Sequence, residues 1–90
     1  MSKENESFKA LVKREESHIP EALAAGGHLT GVETGTADAL DWLRIILETS
    51  SDIALEARFD TSDPEVNLAL RRRLARLTAI CGAWEKQLNG

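Results

Sequence analysis

The sequence holds one cysteine, two histidines, two prolines and four aromatic side chains in 90 residues. A lone thiol, Cys81, forms no intrachain disulfide, so the chain is expected to fold in a reducing compartment. The two histidines, His18 and His28, are not spaced with carboxylates in the manner of a zinc-binding helix, and no metal or other cofactor is expected. No apolar run is long enough to span a bilayer, and Met1 to Ser7 carry acids without an apolar segment, which predicts a cytoplasmic protein without membrane attachment. No nucleophile elbow is present, and the glycines at 26, 27, 31 and 35 follow no strand, so phosphate-cradling and dinucleotide readings lack their context. Acidic side chains outnumber basic ones, 15 to 11. A net charge of −4 gives the molecule the wrong sign for general attraction to nucleic acid or an anionic membrane. There is no internal repeat or low-complexity tract.

What is present is helical periodicity. From Ala37 to Arg58, the residues Ala39, Leu40, Trp42, Leu43, Ile46, Leu47, Ile53, Ala54 and Ala57 fall in one arc of roughly 160°, with Asp41, Arg44, Glu48 and Asp52 opposite. This predicts a central helix over 37–58, capped by Thr36, with an apolar face wide enough for more than one neighbour. Asp63 or Ser62 followed by Pro64 marks a second start, and a last helix is predicted over 64–88. Along it Leu70, Leu74, Leu77, Cys81, Trp84 and Leu88 recur at 4-3-4-3-4 spacing, the pattern of a seam against another helix. The short connection favours an antiparallel hairpin, with Trp42 and Trp84 at its open end and Phe59 closing the other. Its expected core is Leu40, Leu43, Leu47, Leu70, Leu74, Leu77, Cys81 and Trp84, with Cys81 a buried, inert thiol.

Upstream, residues 1–6 are polar and expected to fray, while 7–25 reads as a short helical segment limited by Pro20. Residues 26–36, rich in glycine and threonine, read as a loop. The predicted fold class is therefore all-α: a short N-terminal helix plus a long antiparallel helical hairpin in a single domain. Leu68, Ala75, Ala79, Gly82 and Ala83 form a second stripe of mainly small residues, which either receives the leading helix or meets another molecule. One hairpin cannot hide so wide an apolar arc at a length where a single core is barely sufficient, so a homodimer of four-helix-bundle type is expected. Arg71, Arg72, Arg73 and Arg76 form a local basic cluster, read as arginines paired with Glu48, Glu65 or Asp52, or as a dock for an acidic partner.

The acidic polar start, TADALDWLRIILETSSDIALEARFD and SDPEVNLALRRRLARLTAICGAWEKQL together resemble the small helical quorum-sensing anti-activators of pseudomonads, of the QslA type, from about Ser7 to Leu88. The resemblance implies a dimeric all-helical protein that binds the ligand-binding domain of a LuxR-type transcription factor. By covering the receptor's dimerisation surface it would keep the receptor off DNA, with no direct nucleic-acid contact of its own. It carries over no contact residues; Ile45, Leu55, Leu68 and Arg72 are the candidate partner interface from the residues themselves. The alternatives are a small dimeric enzyme of the chorismate-mutase type, using Arg44, Arg58 and Arg73 for a dicarboxylate, or another helical adaptor or antitoxin.

Overall fold

The computed structural model describes residues 7–25 and 37–90, which form four helices and no strand. The loop expected over 26–36, His28 and Thr36 lie outside the described residues. In order, the helices are α1 (Phe8–Glu16), α2 (Ile19–Ala24), α3 (Ala39–Glu56) and α4 (Pro64–Asn89).

Local chemistry sets the boundaries. The Ser7 hydroxyl accepts from the Ala10 amide to start α1, and Pro20 occupies the first turn of α2, where its missing N–H is no loss. α3 is capped by Asp38 rather than Thr36, because Asp38 and Asp41 satisfy each other's backbone. The Asp41 amide donates to Asp38 Oδ1 at 3.1 Å, and the Asp38 amide donates to Asp41 Oδ2 at 3.0 Å. This reciprocal box occupies two of the amides a helix start leaves unpaired. Asp63 caps α4 by accepting from the Glu65 amide at 2.8 Å, and Pro64 follows at its first position.

Between α3 and α4 the Asp60 carboxylate accepts from the Ser62 hydroxyl at 2.7 Å and from the Ser62 amide at 3.0 Å. These two bonds hold its pKa below the ordinary 3.8. A depressed carboxylate stabilises the turn above its unfolded value and ceases to do so as pH falls through its folded one. An NMR titration should therefore give Asp60 a midpoint below 3.8, and Ser62→Ala should return it toward that value.

α3 and α4 form an antiparallel hairpin. At its open end the Trp42 and Trp84 rings stack at 6.2 Å between centroids, only 3° from parallel. The Trp42 indole N–H donates to Gln87 Oε1 at 2.8 Å, and Gln87 Nε2 donates to the Ala37 carbonyl at 3.1 Å. Nearer the turn, Arg73 meets Glu56 at 3.3 Å and Asp52 at 3.6 Å. Phe59, expected to close this end, is exposed.

The first two helices cover one side of the hairpin, α1 packing on α4 and α2 on α3. Ala75 and Ala79 are buried where α4 receives α1, since small side chains permit a close approach. Ile19, Leu23, Ala37, Trp42, Ile45, Ala79 and Ile80 form the core, with Val12, Ala22, Ile46, Ala83 and Trp84 packed against it. Thr49 is buried among apolar groups at no cost in hydrogen bonding, because its hydroxyl donates to the Ile45 carbonyl one turn back at 2.8 Å.

Candidate protein-binding face

The Leu seams expected inside the hairpin lie outside it in the single chain. Leu40, Leu43 and Leu47 on α3 are 75%, 42% and 67% exposed, and Leu74 and Leu88 on α4 are 44% and 73% exposed. Cys81, expected to be buried, is exposed between them, and Leu70 and Leu77 are half-buried. Of that expected core, Trp84 packs against the buried cluster. The physical reason is rotational. α3 must serve α2 and α4 at once, so its most buried direction runs through Trp42, Ile45 and Thr49. At ~100° per residue, Leu40, Leu43 and Leu47 then point away from it.

In the same way α4 turns Ala75, Ala79 and Ile80 inward. The outward leucines of α3 and α4 point away from the neighbours these helices pack against. The result is bare apolar surface on both helices of the hairpin, on which Leu40, Leu47 and Leu88 are the most open of these leucines. Exposed apolar surface of this kind is a candidate place for a partner or a ligand to sit.

The residues expected to meet a partner do not form this face. Ile45 is 1% exposed and belongs to the core cluster with Ile19, Leu23 and Ile80, so it offers no surface to a partner. Leu55 is exposed, Leu68 is half-buried, and Arg72 is exposed beside the groove between α1 and α4. Ile45 falls off the Leu-rich arc, yet the spacing of Trp42, Ile45 and Thr49 marks the buried direction of α3, with a threonine able to satisfy itself.

Two open polar clefts flank α1, and both include Glu15 and Arg76. An open cleft of about 410 Å³ is lined by Glu15, His18, Glu21, Ala22 and Arg76, with Arg76 3.9 Å from Glu15. Among the described residues no group of three or more His, Cys, Asp or Glu side chains is placed to hold a metal ion. Among the described residues no helix is long and apolar enough to cross a membrane.

Two of the arginines considered for a dicarboxylate have other work. Arg44 donates through Nη2 to the Ala22 carbonyl at 2.8 Å and the Leu23 carbonyl at 3.3 Å, and through Nη1 to Glu48 at 2.9 Å. It thus holds the C-terminal carbonyls of α2, where a cation also complements the helix dipole. Arg73 is held by Asp52 and Glu56.

Gly82 stands apart. A Cβ there would meet nothing within 4 Å, although a glycine inside a helix weakens it. Gly82→Ala is therefore expected to stabilise the isolated chain by about 0.5–1 kcal/mol, read as a shift in the urea midpoint at unchanged slope. Compared with protein-family models, with curated proteins and with solved structures, the chain matches none.

Proposed function

We propose that this chain is a non-enzymatic, cytoplasmic, protein-binding regulator: a quorum-sensing anti-activator that binds the ligand-binding domain of a LuxR-type transcription factor and blocks its dimerisation and DNA binding. The observation that carries the binding role is the bare face of Leu40, Leu43, Leu47, Leu74 and Leu88. Support for this target comes from the resemblance over Ser7 to Leu88. Receptor dimers bury helices against each other, and an apolar two-helix surface can replace a receptor's own twin. Inhibition is then stoichiometric competition, with ~1,200–2,000 Å² buried in total giving a specific complex. In the absence of its target the regulator is a homodimer of four-helix-bundle type.

The test uses a purified LuxR-type receptor with its autoinducer and promoter DNA. Adding this chain in equimolar amount should abolish the mobility shift and yield a receptor–regulator complex by size-exclusion chromatography with light scattering. A promoter shift unchanged at tenfold excess would reject this target.

A further inference from the structure

We propose that the cleft between α1 and α4 lined by Arg72, Arg73 and Arg76 binds a small doubly charged oxyanion, a phosphate or a short dicarboxylate, and that Glu15 is the internal carboxylate it displaces. No leucine of the bare surface lines this cleft, and the site does not depend on the function proposed above.

Sequence spacing assembles it. Residues 69, 72, 73 and 76 stand at i, i+3, i+4 and i+7, so one stripe of α4 carries three guanidiniums, and Ala69 at its start leaves the space a longer side chain would fill. Glu15 of α1 forms the opposite wall. The cleft holds about 260 Å³, below the ~300–1,000 Å³ of pockets that take drug-sized ligands, which suits a compact anion.

The arginines are unevenly paired. Arg73 is held by Glu56 at 3.3 Å and Asp52 at 3.6 Å, and so serves as a fixed wall. Arg76 Nη1 stands 3.9 Å from Glu15 Oε1, too far for a hydrogen bond. Arg72 pairs with no described residue. Even with Arg73 discounted, two cations face one carboxylate. In the adjoining cleft Glu15 and Glu21 line the space with Arg76 and His18, so an anion is drawn to the Arg72 side. Arg72 and Arg76, one helical turn apart, repel each other. An oxyanion between them removes that repulsion and accepts from both planar forks.

The test is a titration of the full chain with inorganic phosphate and, separately, with succinate, at constant ionic strength set by sodium chloride, followed through the arginine Nε–H signals by NMR. At least one of the two should saturate, moving the Arg72 and Arg76 signals together, and the one that does identifies the acid group. Arg72→Ala should weaken that binding by about threefold or more while leaving the urea midpoint unchanged, because an unpaired arginine contributes no contact to the fold. Glu15→Gln should strengthen binding by about as much. Lys86→Ala removes the same charge about 15 Å beyond Arg76 along α4 and should leave the affinity unchanged. Shifts that never saturate with either ion, or equal weakening by Arg72→Ala and Lys86→Ala, would mean general charge screening and overturn the site. Unchanged affinity in Glu15→Gln would overturn its part as the displaced carboxylate.

Discussion

Trp42→Ala should cost about 3–5 kcal/mol, a large part of the 5–15 kcal/mol that holds a typical domain together. Trp42 is fully buried, and three separate contributions end with it. Its indole fills the junction of α2, α3 and α4; its ring stacks on Trp84; and its N–H donates to Gln87, which in turn holds the Ala37 carbonyl ahead of α3. The alanine leaves a cavity that the surrounding helices close only in part. Guanidinium titration should show a fall in midpoint, and the near-ultraviolet dichroism of the paired indoles should disappear. Trp42→Phe separates the terms. It keeps most of the apolar area and gives up the hydrogen bond, so it should lose about 1–2 kcal/mol. Equal losses for the two variants would show that the Gln87 contact, rather than packing, fastens the open end.

Arg44→Ala should cost about 1.5–3 kcal/mol, the usual range for hydrogen bonds made by a charged group to partly buried acceptors. The effect should be local. α2 has only six residues, too few to be helical without tertiary contacts, and the Arg44 guanidinium is what ties its last carbonyls to α3. Amide exchange in α2 should therefore accelerate well before that of α4. Glu48→Ala should cost only a few tenths of a kcal/mol, since the Arg44–Glu48 pair is an exposed i, i+4 contact. Arg44→Lys should fall near the alanine variant, because one ammonium cannot span the two carbonyls and Glu48 as the planar fork does. The buried Arg44 Nε has no hydrogen-bond partner among the described residues, which sets this side chain's contribution below that of a fully paired guanidinium. If Glu48→Ala matched Arg44→Ala, the ion pair and not the carbonyl contacts would be the fastening.

These two side chains also explain why the bare face is bare. Trp42 and Arg44 lie on different flanks of α3, one toward α4 and the other toward α2, and both must be satisfied by the same helix rotation. That rotation points Leu40, Leu43 and Leu47 away from both neighbours. Surface that would be a liability in a solitary protein is then the part of the molecule available to a partner.

Much of the architecture was legible in the residues. The helical periods, Ser7 before Phe8, Asp63 before Pro64, and the proline after Ile19 specify where helices start, because caps and missing amides act within a few residues of themselves. The short turn after Arg58 made α3 and α4 neighbours, and the level of the two tryptophans followed from its length. Tertiary structure alone decided which apolar residues face inward. Hydrophobic burial is non-directional, so a helix whose apolar arc spans nearly half its circumference is compatible with several rotations, and the leucines looked as suited to the core as Ile45 or Ile80. The choice came from long-range contacts that no local pattern encodes: Trp42 with Gln87, Arg44 with the end of α2, and the alanines of α4 under α1.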